Sequence, residues 1–221
     1  MLRGVFVTGV DTGIGKTVVA AALLARYNQL KNVVYWKPVQ TGIEADDDTA
    51  TVRRLSSCRP DQILDRGIRL PRPLSPHLAA RLAGVHLTIA GVVEPVAERE
   101  DRNWIVEGAG GVLVPLNEQE MMTDLMARLA LPAVVVTRTT LGTINHTLLT
   151  LEALRRRGID IAGVVLVGPH NPENRHAIEH FGRAPTLGEM PRFSPLTPDA
   201  LTTWARADLD PSGLLSACFR P

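Results

Sequence analysis

Short apolar runs along the chain alternate with segments in which polar and apolar residues mix at helical spacing. The runs predict strands that are covered on both faces of a sheet, at residues 5–9, 33–37, 104–107, 133–137, 161–167 and 186–190. Helices are expected between and after them, at residues 18–25, after 46–49, and at 77–83, 89–98, 143–154, 173–181 and 199–207. This alternation predicts an α/β fold, with a mostly parallel β-sheet and helices on both of its faces.

Two segments follow neither pattern. Pro38 removes a backbone donor directly after the second apolar run, so we expect residues 38–42 to form a loop. Residues 56–76 carry several prolines and few periodic signals, which predicts a surface loop or short helices. No internal repeat is evident, and a length of 221 residues favours a single domain over residues 1–221.

The first strand leads into a glycine-rich loop and then into an apolar helix. Gly9, Gly13 and Gly15 would allow positive φ angles, which turn backbone N–H groups toward phosphate oxygens. Lys16 would add a mobile positive charge, and the hydroxyl of Thr17 would bind magnesium. The stretch therefore predicts a phosphate-binding loop, with the positive end of the helix dipole facing the anion.

The spacing in this loop departs from the commonest form of the motif. Five residues separate Gly9 from Gly15, and Val10 stands where that form has a glycine. The alternative interpretation is a strand-to-helix turn that binds no ligand. We favour phosphate binding because Gly15, Lys16 and Thr17 stand at the strand-to-helix junction that the mechanism requires.

Charged residues also stand at the ends of two other predicted strands. Lys37 ends the second strand, and Glu107 ends the third, before a run of small residues. The carboxyl ends of parallel strands meet at one edge of a sheet, so both side chains should face the crevice of the phosphate loop. Glu107 is typical of the acid that holds magnesium beside such a loop. One acid among residues 46–48 is a second candidate, and the others would stabilise a helix start.

Residues 140–149 predict a loop that leads into a helix. Thr143 or Asn145 is a possible N-cap of this helix. The free amides of the same helix start could instead hold a substrate carboxylate. The residue pattern alone favours the capping role.

Charge and cysteine content narrow the classes of partner and compartment. The chain has 24 basic and 23 acidic residues and a net charge of +1, which argues against nucleic acid and membrane surfaces as partners. No apolar run approaches the roughly 20 residues of a membrane span, so we expect a cytoplasmic protein.

Cys58 and Cys218 lack disulfide-type and metal-type spacing, and both should be free thiols. His176 and His180 lie one helical turn apart without a third ligand, so we interpret them as surface histidines.

Six motifs in a fixed order make this sequence similar to the dethiobiotin synthetase family. They are TGVDTGIGKT at residues 8–17, KPVQTG at 37–42, SPH at 75–77, EGAGG at 107–111, LGTINH at 141–146 and GEMP at 188–191. Many ATPases share the first motif, whereas the whole set is specific and extends over most of the chain. The additional residue in the phosphate loop is itself a feature of this family.

This resemblance implies a phosphate-loop NTPase fold and a particular reaction. Enzymes of the family convert 7,8-diaminononanoate, CO2 and ATP with Mg2+ into dethiobiotin, ADP and phosphate. One amine captures CO2 as a carbamate, and the carbamate oxygen attacks the γ-phosphate to give a carbamic-phosphoric anhydride. The second amine then displaces phosphate and closes a cyclic urea. The family forms homodimers, and the resemblance implies neither a nucleic-acid nor a membrane partner.

The resemblance also implies roles for individual residues in phosphate transfer. Lys37 and Lys16 would be catalytic, and Thr17, Asp48 and Glu107 would hold magnesium. The residue pattern leaves open whether Asp47 or Asp48 is the ligand. Contacts with the nucleotide would come from Gly13, Ile14, Gly15, Lys16, Thr17, Val18, Asp48, Glu107, Gly108, Ala109, Gly110, Gly168, Pro191, Arg192 and Phe193.

Two further sets of residues would bind the organic substrate. Thr12 and Thr41 would contact the diamine and its carbamate. The helix start at Gly142, Thr143 and Asn145 would hold the substrate carboxylate, and in the family this helix start comes from the neighbouring subunit. The resemblance thus implies a substrate site shared across a homodimer interface.

The sequence departs from the family pattern at one place. The family commonly has an Asn-Asp pair after the strand at 161–167, and its amide binds adenine, whereas this chain has Val167 and Gly168. A site without that amide loses discrimination that hydrogen bonding could supply. We therefore expect that nucleoside triphosphates other than ATP are also accepted.

A switch ATPase is the competing class of protein. Partition and membrane-site ATPases carry a related phosphate loop and dimerise on ATP, but they have a second lysine near the start of the loop. This chain has Val10 and Asp11 in that region, and no amphipathic C-terminal membrane helix is apparent. An amidating ligase of the cobyrinate type is a second enzymatic alternative. It would need a further glutamine-handling domain, for which we expect 221 residues to be too few.

Overall fold

A computed structural model of the chain describes residues 2–30, 32–96 and 101–219. The main sheet has seven strands, in the order β4-β2-β6-β1-β7-β8-β9, and each pair of neighbours is parallel. Its strands are β1 (Arg3–Gly9), β2 (Val33–Trp36), β4 (Ile63–Leu64), β6 (Asn103–Glu107), β7 (Ala133–Arg138), β8 (Ile161–Val167) and β9 (Thr186–Met190). The predicted α/β class with a parallel sheet is thereby confirmed.

Eight α-helices flank this sheet in the described part of the chain. They are α1 (Lys16–Tyr27), α2 (Asp48–Ser56), α3 (Pro76–Ala83), α4 (Ile89–Val93), α5 (Met122–Leu129), α6 (Thr143–Arg156), α7 (Pro172–Gly182) and α8 (Pro198–Ala207). The helix predicted over 89–98 changes to a 3-10 turn at Glu94–Val96, and residues 97 and 98 lie outside the described residues. None of the described helices has the length and apolar character needed to cross a membrane.

Each central strand contributes to two apolar cores, one on either face of the sheet. Val5, Val7 and Tyr35 pack into the core beneath α1, α2 and α8. Phe6 and Trp36 point the other way, into the core that α5 and α6 cover. Successive side chains on a strand alternate between faces, so burial of both faces explains why the strands read as continuous apolar runs.

A second, two-stranded sheet was not predicted. Residues predicted as loops form β3 (Val39–Thr41) and β5 (Ile68–Leu70), which pair in parallel. Trp36 Nε1 donates a hydrogen bond to the Arg66 carbonyl and ties this region to β2. Strands of three residues lack a recognisable period, and their partner is distant in sequence, so local patterns miss such pairs.

Topology brings the functional candidates together. β1 lies between β6 and β7, and β2 pairs with the other edge of β6. The carboxyl ends of β1, β2 and β6 therefore stand side by side. These ends carry the phosphate loop, Lys37 and Glu107, at the edge of a parallel sheet where ligands bind.

Candidate active site

The phosphate loop joins β1 to α1 near the centre of the sheet. Gly13 and Gly15 have φ angles of 66° and 101°, in the left-handed region that glycine adopts without steric cost. The positive φ predicted for Gly9 is wrong. A Cβ at that position would lie 2.3 Å from Ile14 Cδ1, so Gly9 serves close packing instead, with the Ile14 side chain in the core.

The start of α1 presents backbone donors to the space above the loop. Its N-cap is Gly15, which supplies no side-chain cap, and its first turn contains no acidic residue. The first amides of a helix have no partner within the helix. Those at Lys16, Thr17 and Val18 are therefore oriented for an anion, together with the positive end of the helix dipole.

Lys16 is held within the loop. Its side chain is buried, and Nζ donates to the Asp11 carbonyl at 2.6 Å. Burial, followed by repulsion from the nearby Lys37, lowers the pKa of Lys16 to about 8. An anion at the loop would relieve that repulsion and favour the charged form.

Lys37 lies between two carboxylates at the end of β2. Its Nζ is 2.7 Å from Glu107 Oε1 and 2.6 Å from Asp48 Oδ2, and it donates to the Gly108 carbonyl at 3.1 Å. These contacts use all three donors of the ammonium group. Burial disfavours the charge on Lys37, but the two carboxylates outweigh burial and raise its pKa. Lys37 is thus a fixed cation at the mouth of the phosphate loop.

Thr17 completes this cluster from the first turn of α1. Its Oγ1 lies 2.8 Å from Asp48 Oδ1 and 2.9 Å from Glu107 Oε1. A hydroxyl and two carboxylates converging on one point are the hard oxygen ligands that Mg2+ prefers. The residues present therefore fit a magnesium ion bound beside the phosphates.

The geometry separates the two neighbouring acids at the start of α2. The Asp47 side chain accepts the Ala50 amide at 3.0 Å and caps the helix. Asp48 turns into the cluster, where burial opposes its charge but Lys37 prevails and lowers its pKa. Asp48, rather than Asp47, is placed to act as a ligand.

Tyr35 belongs to the same cluster, although no motif pointed to it. It is fully buried in β2, and its hydroxyl donates to Glu107 Oε2 at 2.8 Å. Burial and the adjacent Glu107 carboxylate raise the pKa of Tyr35 well above 10, so it remains a donor. Tyr35 lies in β2, and Lys37, two positions later, directly follows the last residue of β2, so their side chains point to the same side of the sheet. The two-residue period of side chains along a strand is therefore the sequence signal that could have indicated Tyr35.

A cavity of about 580 Å³ opens over the cluster. Residues predicted from the sequence form much of its wall, namely Thr12, Gly13, Gly15, Lys16, Thr17, Lys37, Thr41, Asp48, Glu107, Ala109 and Gly110. Asp46, one of the three candidate acids, also lines the wall. The remaining residues received no individual role from the sequence, although three of them stand in its motifs; they are Gln40, Pro73, Leu74, Ser75, Pro76 and Val114. Gln40 lies in β3, residues 73–76 lead into α3, and Val114 lies between β6 and α5.

Comparison with known proteins identifies the family. Residues 3–200 match a family model described as an AAA domain. The chain is 51% identical over 189 residues to the ATP-dependent dethiobiotin synthetase of Paramagnetospirillum magneticum, covering 86% of this chain and 88% of that protein. It is 44% identical over 215 residues to the one from Rhodopseudomonas palustris strain CGA009, covering 97% and 98%. The chain belongs to the ATP-dependent dethiobiotin synthetase family. It is therefore a ligase of biotin biosynthesis.

Solved structures add a finding about the fold alone. A MinD septum site-determining protein from Pyrococcus horikoshii, complexed with Mg-ADP, matches with a TM-score of 0.59 and 15% identity, covering 97% of this chain and 93% of its own. A ParA family ATPase from Chlorobium tepidum matches with a TM-score of 0.58 and 11% identity, covering 99% and 98%. This chain thus shares the phosphate-loop NTPase fold with these two proteins.

The start of α6 does not contribute to the described wall of the cavity in this member of the dethiobiotin synthetase family. Gly142, Thr143 and Asn145 are not among the described residues of the cavity wall. The predicted capping by Thr143 or Asn145 is wrong, because the N-cap is Gly142, with a φ of 93° and no side-chain bond. Thr143 is buried, and its Oγ1 bonds Thr137 Oγ1 at 2.8 Å and the Arg138 carbonyl. The helix amides are left uncapped by any side chain.

The ends of β8 and β9 flank the other side of the phosphate loop. The amide of Gly168 donates to the Met190 carbonyl at 2.9 Å, and a Cβ on Gly168 would lie 2.3 Å from Thr139 Oγ1. Pro191 and Arg192 follow β9 and are exposed, whereas Phe193 packs against the core below α1. Val167 borders Gly15, within 3.4 Å of where a Cβ would stand. The family's adenine-binding pair has no polar counterpart at these positions.

Proposed function

We propose that this protein carboxylates 7,8-diaminononanoate with CO2 and closes the ureido ring of dethiobiotin at the expense of ATP. The observation that carries the proposal is the cluster at the cavity floor. Two lysines and two carboxylates surround Thr17 directly at the phosphate loop. The relatives named ATP-dependent dethiobiotin synthetase support the same reaction.

The reaction joins two anions, so its catalyst must neutralise charge and hold the reactants in line. One amine of the substrate adds to CO2, loses a proton and becomes a carbamate. A carbamate oxygen attacks the γ-phosphorus, and ADP leaves. The second amine then attacks the carbonyl carbon of the resulting carbamic-phosphoric anhydride, phosphate departs, and a proton is lost as the ring closes.

The chain's own residues supply the positions for these steps. Lys16 and the amides from Gly13 to Val18 would bind the phosphates, and the raised pKa of Lys37 keeps a positive charge where the carbamate meets the γ-phosphate. Thr17, Asp48 and Glu107 would hold Mg2+, which supplies further positive charge to the triphosphate. Thr12 and Thr41, both in the cavity wall, would contact the diamine and the carbamate.

The substrate carboxylate would bind at the start of α6 of a second subunit. The Thr143 amide already donates to the Thr140 carbonyl at 3.1 Å, but no side chain caps the amides of Ile144 and Asn145, and these suit a carboxylate. The helix start does not contribute to the described cavity wall of its own chain, which is consistent with a site shared between two chains. Leu141 is fully exposed and Leu149 is 57% exposed, which fits a helix start that another subunit covers. We therefore propose a homodimer, which light scattering would detect as twice the 24.0 kDa chain mass.

One experiment tests the reaction directly. The protein is mixed with 7,8-diaminononanoate, bicarbonate, magnesium and ATP, and dethiobiotin is sought by mass spectrometry. The proposal requires dethiobiotin and phosphate in equal amounts. Phosphate release without dethiobiotin would contradict it and would favour a switch ATPase, whose fold this chain shares.

A further inference from the structure

Gln40 is a buried polar residue in the wall of the cavity. It lies in β3, immediately before Thr41, and it is 2% exposed. Burying an amide without hydrogen-bond partners is costly. The partners of its two ends therefore indicate what the side chain does.

One end of the Gln40 amide is satisfied within the chain. Nε2 donates to the backbone carbonyl of Asp46 at 2.6 Å. A carbonyl oxygen only accepts hydrogen bonds, so the nitrogen must face Asp46 and the amide cannot be reversed. The Asp46 contact thus fixes the direction of the other end.

The other end is an acceptor without a partner. Gln40 Oε1 is buried and has no hydrogen bond among the described residues. The other buried glutamine, Gln62, differs in this respect. Its Oε1 accepts the Arg59 amide at 3.0 Å, and its Nε2 donates to the Asn28 carbonyl at 3.1 Å. Gln62 is a satisfied structural residue, whereas Gln40 retains an unused acceptor beside a cavity.

The chemistry of the reactants selects what Gln40 Oε1 can bind. CO2, the carbamate oxygens and the phosphates offer acceptors, which an acceptor does not attract. Lys37 already uses all three of its donors on Glu107, Asp48 and Gly108. The amino groups of the diamine remain as N–H donors, and Thr41, beside Gln40, lines the same cavity.

We propose that Gln40 is a substrate-binding residue whose Oε1 accepts a hydrogen bond from one amino group of the diamine. The inference rests on the proposed function. Gln40 thereby favours a vicinal diamine over a monoamine of the same length, because a monoamine leaves this buried acceptor unpaired. Its Asp46 bond holds the acceptor in place before the substrate arrives.

The test is a double-mutant-type cycle, in which the Gln40 side chain is changed in the protein and one amino group is removed from the ligand. Affinities for 7,8-diaminononanoate, 7-aminononanoate and 8-aminononanoate are measured by calorimetry for the wild type and Gln40→Met. We expect Gln40→Met to weaken diamine binding about tenfold, as for loss of one charge-assisted hydrogen bond. One of the two monoamines should bind equally to both proteins, while ATP affinity stays unchanged.

Two further variants keep the test decisive. Gln62→Met makes the same chemical change at a satisfied site, and it should lower the unfolding temperature without changing diamine affinity. Gln40→Ala removes the same acceptor with a smaller side chain, so its preference for the diamine over the monoamines should also fall. If Gln40→Met does not fold, an unchanged preference in Gln40→Ala would overturn the inference.

The outcomes also separate this inference from the proposed function. A wild-type protein that neither binds the diamine nor forms dethiobiotin would contradict both. A wild type that forms dethiobiotin, with a Gln40→Met variant that binds diamine and both monoamines as the wild type does, would contradict only the role of Gln40. An equal loss of affinity for all three ligands and for ATP would assign Gln40 a purely structural role.

Discussion

Two regions at the carboxyl edge of the sheet differ in the kind of contact that they offer. The ends of β1, β2 and β6 gather Lys16, Lys37, Asp48 and Glu107 in a buried cluster with defined partners. The ends of β8 and β9 offer backbone groups, glycine and apolar side chains. The first region can neutralise and orient charge, whereas the second provides shape. The rate of phosphate transfer should therefore depend on the first region. Discrimination between nucleotide bases should depend on the second region, and it should be weak because that region offers few polar side chains.

Lys37→Ala removes a charge from the first region and has the largest expected effect on turnover. It removes the cation between Asp48 and Glu107, so repulsion between the carbamate and the γ-phosphate is no longer offset. We expect turnover to fall by roughly 10²–10³-fold, as for loss of a preorganised electrostatic contact. Dethiobiotin formation measures this loss, and fluorescent-nucleotide titration should show that ATP still binds.

The stability of Lys37→Ala must be measured alongside its activity. Glu107 would remain buried without its ammonium partner, which costs several kcal/mol as an order of magnitude. Thermal unfolding shows whether the variant remains folded at the assay temperature. A folded variant with unchanged turnover would contradict the role assigned to Lys37.

Tyr35→Phe tests the same cluster through a residue that would not touch the reactants. The change removes only the hydroxyl that donates to Glu107 Oε2. Glu107 would keep Lys37 and Thr17 on Oε1 but lose the bond that fixes its other oxygen. We expect about a tenfold loss of kcat, a higher magnesium requirement and about 1–3 kcal/mol of lost stability.

Tyr27→Phe is the matched control for this prediction. Tyr27 is the other tyrosine of the chain, and it stacks on Phe219 at a centroid distance of 4.2 Å, on the opposite end of α1 from the phosphate loop. Its replacement should leave kcat and the magnesium requirement unchanged. If both substitutions lower kcat and raise the magnesium requirement equally, the role assigned to the Tyr35 hydroxyl at Glu107 is contradicted.

How much could be predicted from sequence depended on whether the signal was local. Lys37 and Glu107 were placed correctly because each ends an apolar strand, and strand ends in a parallel sheet meet at one edge. Tyr35 received no role because it looks like an ordinary strand residue, and Gln40 received none because it stands in a segment predicted as a loop. Only pairing across the fold gives Tyr35 its carboxylate partner and leaves Gln40 Oε1 without one.

The helix starts illustrate the same limit. Glycine precedes both α1 and α6, yet threonine and asparagine near α6 favoured a side-chain cap in sequence terms. The Thr143 hydroxyl is instead drawn into a buried chain of hydroxyls, because Thr147 Oγ1 also donates to Thr137 Oγ1 at 2.9 Å. Tertiary contacts decided the role of Thr143, and no local pattern contains them.

The pKa of Lys16 gives a third test, with a moderate expected effect. Burial and the nearby Lys37 lower the pKa of Lys16 to about 8, and bound phosphates would favour its protonated form, so we expect ATP binding to take up protons near this pH. Affinity should therefore be constant below the free pKa and weaken toward tenfold per pH unit above it. Calorimetry in magnesium-free buffer from pH 7 to 9.5 (about one unit below to 1.5 units above that pKa) measures this trend.

Lys16→Arg provides the control, because a guanidinium stays charged throughout this range. The variant should bind ATP more weakly, since a planar fork fits the loop poorly, but its affinity should not fall as the pH rises. A wild-type affinity that does not change with pH would show that Lys16 is already charged in the free protein.

Nucleotide choice probes the second region and should show the smallest effect. Polar side chains near Gly168 already have hydrogen-bond partners within the chain. His170 Nδ1 lies 2.7 Å from Glu189 Oε2, and Asn174 Nδ2 donates to the Thr139 carbonyl at 3.0 Å. A base placed there would meet few groups able to distinguish its edges.

We therefore expect kcat/KM for dethiobiotin formation with ATP, CTP and GTP to differ by less than about tenfold, which is within about 1.4 kcal/mol. The assay follows dethiobiotin by mass at equal magnesium and nucleotide concentrations. Val167→Asn would restore the amide that the family commonly carries, and it should raise the preference for ATP without changing kcat, because the charged cluster is untouched. A preference above a hundredfold for ATP in the wild type would show that backbone groups and shape alone select the base, and the contrast between the two regions would then fail.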